Sequence, residues 1–294
     1  MKMETLKMGV LISLLTLLTG CSSASSMNTQ ESITGQWTIE PVVAAGNEVK
    51  LILQRRVPQN TSTTTFNIPL EKLIGLTSGQ VAANSSSVRF ELVREAGTFT
   101  CEGKFNAGWG SGTFVFSANP NFSKNLSALG YKNLSNERIF EMALYDITTG
   151  FIRDLKSLGY DNPPVEQLIP MKVHNVSIEF IRELKALGYA RISIEQLIPM
   201  RIHGVSIDYL RSLKELGYEN VPAEQLIPMR IHGVSIEYIK ELKALGYNRV
   251  PVEQLIPMNI HKVTPDFIRK AKARAQNVPP VEELIRLRIS GNLN

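Results

Sequence analysis

Histidine is scarce in this chain and unevenly placed: there are four in 294 residues, and none precedes His174. The first half therefore lacks the usual general base and the commonest metal ligand. Cysteine is limited to Cys21 and Cys101. No His-Glu-x-x-His, no Gly-x-Ser-x-Gly and no Asp-rich calcium loop occurs anywhere. Charge of one sign is also missing. The net +5 is a small surplus of 32 Lys and Arg over 27 Asp and Glu, spread over a large body, which gives no basic patch for nucleic acid. A local cluster, Arg269, Lys270, Lys272 and Arg274, reads as a solvated helix face. No cofactor is implied.

What the chain does have is a repeat. Gly130, Gly159, Gly188, Gly217 and Gly246 stand 29 residues apart, as do His174, His203, His232 and His261. A period of this size marks stacked supersecondary units, none of which buries its apolar face alone. Within one unit, Ser206 is placed to cap a helix, with Val205 and Leu210 as a hydrophobic staple. Ile207, Leu210, Leu213 and Leu216 form an apolar stripe, while Asp208, Arg211, Lys214 and Glu215 face outward. Gly217 stands where a left-handed residue ends a helix, and Tyr218 is placed to pack back on Leu213. The other helix starts at the capping box Ser193-Ile194-Glu195-Gln196 and runs toward His203-Gly204. Glu137, Glu166, Glu195, Glu224, Glu253 and Glu282 sit in its first turn, where a carboxylate suits the helix dipole. Pro170, Pro199, Pro228 and Pro257 fall beyond the first turn and predict a bent or broken helix.

Five full copies span 130–158, 159–187, 188–216, 217–245 and 246–274, followed by a truncated sixth, 275–294. The first departs most, with Phe140-Glu141-Met142 for Ile-Pro-Met and Tyr145 for His. The last replaces its Pro with Arg286. Such end copies look like caps whose outer face meets water. A metal ladder through the four His is disfavoured, because stacked helices are about 8–10 Å apart and two ligands must each come within about 2 Å of one zinc. A helix carboxyl end accounts for them better. Specificity is expected where copies differ, at Lys172, Arg201, Arg230 and Asn259.

Ahead of the repeats, period-two alternation predicts a small antiparallel β-domain, possible as a sandwich, over residues 31–122. Val49, Leu51 and Leu53, then Val88, Phe90 and Leu92, then Phe99, Cys101 and Phe105 mark its apolar face. Cys101 reads as a buried small hydrophobe. Pro69 to Leu76 reads as a short helix, Arg94 to Gly97 as a hairpin turn, and Asn106 to Gly112 as a wide hairpin loop with Trp109 at its tip. Trp109 is the candidate ligand contact of this domain. No Lys-Ser or Lys-Thr follows Gly108-Trp109-Gly110-Ser111-Gly112, so a phosphate loop is not indicated.

The leader, residues 1–20, has Lys2 and Lys7 and then the apolar run Met8 to Leu18, too short for the roughly 20 residues that cross a bilayer. It closes on Leu18-Thr19-Gly20-Cys21, which resembles the bacterial lipobox. That resemblance implies acylation of Cys21, anchoring on a membrane, and, with Ser22 following, an outer-membrane address facing the periplasm. With Cys21 acylated, Cys101 would have no partner within the chain and no disulfide framework would exist. Residues 21–30 form a small, polar tether.

Units of the form Ile-His-Gly-Val-Ser-Ile-x-Tyr-x-x-x-Leu-Lys-x-Leu-Gly-Tyr resemble uncharacterised short helical repeats of bacterial envelope proteins, including tails of β-lactam-sensor-type membrane metallopeptidases. The segment from Gly97-Thr98-Phe99 to Gly112-Thr113-Phe114 resembles their companion region. The chain lacks the zinc-binding helix of those peptidases, so the resemblance implies no protease. The expectation is an α+β chain by domain: a small antiparallel β-domain, then an all-α solenoid at 123–294. Its expected role is non-catalytic, a lipid-anchored module or scaffold that binds a protein partner through the repeats. The alternative is a carrier that holds a small ligand in the β-domain.

Overall fold

The computed structural model describes residues 32–41, 47–58, 60–275 and 278–291. Seven strands come first: β1 Ile33–Pro41, β2 Glu48–Val57, β3 Asn60–Pro69, β4 Leu73–Ile74, β5 Asn84–Arg94, β6 Gly97–Asn106 and β7 Trp109–Ala118. They form one curled antiparallel sheet in the order β3-β2-β1-β7-β6-β5-β4, not two packed layers. Two meanders are joined where β1 pairs with β7, Ile33 opposite Phe116 and Ile39 opposite Gly110.

The inner face is aromatic. Trp37 meets Phe90 edge-on at 5.0 Å and Phe105 at 5.8 Å, and Phe99 lies 4.9 Å from Phe116. Glycine makes room for these rings. A Cβ at Gly110 would stand 2.5 Å from its cross-strand partner Phe105 and 2.8 Å from Trp37, and one at Gly35 would stand 2.5 Å from Phe114. The sheet therefore curls tightly around its own side chains. Cys101 is fully buried among them, and burial pushes its thiol up to about 12, as a packing residue requires.

Two local expectations are corrected. Pro69 to Leu76 is not a helix: a 3-10 turn covers only Leu70–Lys72, then Leu73 and Ile74 pair with Leu92 and Glu91 as β4, and Gly75 turns away at φ +92°. A helix forms just after it, α1 Ser78–Ala82, capped by Thr77 and Gln80. The wide loop at 106–112 is also absent. The turn is only Ala107-Gly108, both at positive φ (48° and 87°), and Asn106 pairs directly with Trp109.

Twelve helices follow. After α2 Pro120–Ala128 they alternate between first helices, α3 Asn136–Leu144, α5 Val165–Val173, α7 Ile194–Ile202, α9 Ala223–Ile231, α11 Val252–Ile260 and α13 Val281–Ser290, and second helices, α4 Thr149–Ser157, α6 Ile178–Ala186, α8 Ile207–Glu215, α10 Ile236–Ala244 and α12 Pro265–Arg274. First helices stack on first helices and second on second, giving two layers.

The written start and stop signals hold. Ser206 Oγ accepts from the Tyr209 amide at 3.1 Å. At the other end Tyr218 donates its amide to the Leu213 carbonyl and Gly217 donates to Lys214, with Gly217 at φ +91°, a Schellman closure. The first helix closes in the same way: Val205 donates to Met200, Gly204 donates to Arg201, and Gly204 is left-handed at φ +71°. Hence His203, at the C-cap, marks a helix end, as do His174, His232 and His261.

The expected break at proline does not occur. Pro199 lies inside α7, and the helix runs on to Ile202, where Pro199 itself accepts from the His203 amide. Only one donor is lost, to the Glu195 carbonyl, and that end of the helix is at the surface, where water can serve the carbonyl.

The first copy does not meet water as a cap would. Phe140, where other units carry Ile, is buried against Phe99, Phe114 and Phe116 of the sheet (5.7, 6.3 and 5.3 Å), with the Arg55 guanidinium 5.2 Å above its ring. Glu137 pairs with Arg55 at 2.6 Å. Glu95, in the β5–β6 turn, accepts from the Thr149 amide and hydroxyl at the start of α4 (3.0 and 2.6 Å). The departures of this unit are what dock the array on the sheet.

Phe140→Ala should cost about 3–5 kcal/mol in a denaturant melt, the range for emptying an aromatic site in a core. Nothing lies within 4 Å of a Cβ at Gly217, so Gly217→Ala should cost about 1–2 kcal/mol through its left-handed backbone alone, read in the same melt.

Candidate functional site

The outer side of the first helices is left uncovered among the described residues. In α7 the inward positions are Ile194, Leu197 and Met200, all buried. One turn apart on the opposite side lie Glu195, Ile198 and Ile202. Recurrence at 29 residues turns this into a ladder. Val173, Ile202, Ile231, Ile260 and Ile289 are exposed by 46, 51, 53, 48 and 63%. Beside them, Ile169, Ile198, Ile227, Ile256 and Ile285 are partly buried.

The sequence expectation missed this ladder, because the first helix is apolar on nearly every side and so reads as buried all round. The signal was available in the recurrence of Ile or Val immediately before each His.

Lys172, Arg201, Arg230 and Asn259 precede the exposed rungs, and all four are half-buried. They do not project freely. Lys172 Nζ lies 5.2 Å over Phe151, the Arg201 guanidinium 4.9 Å over Phe180, and that of Arg230 4.8 Å over Tyr209. Each of these aromatics belongs to the second helix of the preceding unit, so the cations clamp units together. Arg201 Nε, Arg230 Nε and Asn259 Nδ2 are buried atoms without a hydrogen-bond partner among the described residues. The result is a cationic edge along the apolar ladder.

The other edge is acidic. Gln167 donates to Glu195 at 2.6 Å and Gln225 to Glu253 at 2.8 Å, while Gln196 bonds Glu224 and Gln254 bonds Glu282. Arg138 takes the glutamine's place in the first copy, reaching Glu166 at 2.7 Å. Hydrogen bonds from its own amide, then from Ser193 and Gln167, hold the Glu195 carboxyl below the usual carboxylate range.

Between the layers a tyrosine ladder ties unit to unit. Tyr131 donates to the Pro163 carbonyl at 2.6 Å, Tyr160 to Ile192 at 2.8 Å, Tyr218 to Val250 at 2.7 Å and Tyr247 to Pro279 at 2.6 Å. Tyr209 and Tyr238 donate to Val234 and Val263 at 2.9 and 2.8 Å.

Trp109 opens the first residue of β7 and is 57% exposed, beside an open cleft of about 460 Å³. It is far along the chain from the repeat candidates, and no contact brings it to them among the described residues. Cys21 lies outside the described residues. Among the described residues no group of three or more His, Cys, Asp and Glu could hold a metal ion, and no helix is long and apolar enough to cross a membrane. No protein-family model, curated protein or solved structure matches the chain.

Burial raises the buried phenols above their ordinary 10.0, to about 12 at Tyr131 and Tyr209, and upward also at Tyr160, Tyr189, Tyr218, Tyr238 and Tyr247. The folded chain thus keeps protons that the unfolded chain releases. This stability is complete below pH 10.0 and is lost as the pH rises through the folded values. In an alkaline titration, helical circular dichroism should be lost together with a cooperative rise in phenolate absorbance. Independent, non-cooperative phenolate titration with helicity intact would oppose the ladder.

Proposed function

We propose that the protein is a lipid-anchored envelope module, non-catalytic, that binds a protein partner along the outer side of its first helices. The observation that carries this reading is the ladder Val173, Ile202, Ile231, Ile260 and Ile289, exposed at one rung per unit. A large apolar residue exposed at the same place in successive units offers a regular surface to a partner. The two edges specify the partner's chemistry. A segment with an apolar strip fits the ladder, and carboxylates beside that strip suit the cationic edge formed by Lys172, Arg201 and Arg230.

The address rests on the leader and on the lipobox resemblance at Leu18-Thr19-Gly20-Cys21. In this reading acyl chains on Cys21 hold the protein to the outer membrane, and the tether and sheet carry the array into the periplasm.

The double variant Ile202→Glu/Ile231→Glu tests the reading. Both positions are half exposed, so stability should shift by no more than about 0.5 kcal/mol per site. Partner recovery from solubilised envelopes, quantified against wild type, should fall at least tenfold, equal to about 1.4 kcal/mol. Equal recovery with the variant would refute the ladder as the binding face.

A further inference from the structure

The cleft at Trp109 is built from two rows across the outward face of the sheet. Asn84, Asn106 and Trp109 face one another in register across β5, β6 and β7. Lys104, Ser111 and Thr38 do the same one step along, across β6, β7 and β1. These six side chains line the open cleft of about 460 Å³, and no acidic residue borders it. The floor is rigid. The two-residue turn before Trp109 is tied down by the Ala107 amide donating to Ala83 at 3.2 Å and the Gly108 amide donating to Val81 at 3.0 Å. The next residue, Gly110, has no room for a Cβ against Phe105 and Trp37. A register shift between Asn84 and Ser86, with Ser85 left-handed at φ +65°, re-aims the strand beside the cleft.

One exposed indole ringed by two amides, two hydroxyls and an ammonium is a poor container for an apolar ligand, which would need apolar walls. It matches a molecule with one apolar face and a polar rim. A pyranose ring has that form: its axial C–H face lies on an indole, and its equatorial hydroxyls reach donors and acceptors around it. The absence of carboxylates argues against a cationic ligand. We propose that this cleft binds a saccharide, a pyranose ring stacked on Trp109 and its hydroxyls held by Asn84, Asn106, Lys104 and Ser111. The site is independent of the helical ladder, so the two readings stand or fall separately.

The test uses intrinsic fluorescence of the intact chain, in which the only other tryptophan, Trp37, is buried. Tetrasaccharides of glucose, N-acetylglucosamine and galacturonate serve as probes. At least one should shift the emission saturably in the millimolar range or below. Trp109→Ala, followed by calorimetry because it removes the reporter, should weaken that binding at least about tenfold, and Asn106→Ala should weaken it severalfold, with melting unchanged in both. No saturable change with any probe, or undiminished binding by Trp109→Ala, would overturn the proposal.

Discussion

One row of buried side chains holds the array together. Ile139, Leu168, Leu197, Leu226, Leu255 and Leu284, with Met142, Met171, Met200, Met229 and Met258 a turn further on, lie between consecutive first helices and are out of reach of solvent. Helices of nine residues are too short to persist alone in water. Each therefore depends on the unit beside it, and the remaining features follow from that dependence. The Schellman closures at the ends of α5, α7, α9 and α11 stop these first helices at a length that presents the row, the tyrosine hydroxyls fix the spacing between units, and the Lys and Arg over aromatic rings seal the gap on one side. Because the row must begin somewhere, the first copy trades Ile for Phe140 and uses the sheet as its neighbour.

The dependence also explains why the outward Ile residues are informative. Leu197 and Met200 face the stack and are accounted for by folding, whereas Ile202 stays half exposed within the chain. A large β-branched residue that recurs where a polar one would fold as well needs a reason outside the unit.

Most of the helical half could be read from the chain, because caps and stops are local chemistry. Ser206, Gly217 and Tyr218 act where their types predict. Pro199 does not break α7, because tertiary stacking of the helix outweighs the one donor that it loses. The β-domain was legible along β2, β5 and β6, where alternation is clean. It was not legible at β3, whose Thr-rich first half has no buried residue, nor at Gly110 and Gly112, whose loop-like composition serves close packing, against the Phe105 and Trp37 rings at Gly110 and against the Glu102 and Gly103 backbone at Gly112. Thr77 and Gln80 form the capping box that starts α1. Of the candidate residues, Trp109 borders a cleft, and Lys172, Arg201, Arg230 and Asn259 lie beside the ladder without forming it. The ladder itself was hidden, because position on a helix distinguishes Ile202 from Ile194 only once the neighbouring units are in place.

The central claim is that the first-helix face meets a protein in the envelope. Photo-crosslinking from single positions in intact cells tests it most directly, with a photoreactive residue at Ile231 on the ladder and another at Lys240 on the exposed side of the second helices. The account predicts a discrete crosslinked species from Ile231 and none from Lys240. The same species from both positions, or crosslinks from Lys240 alone, would contradict it.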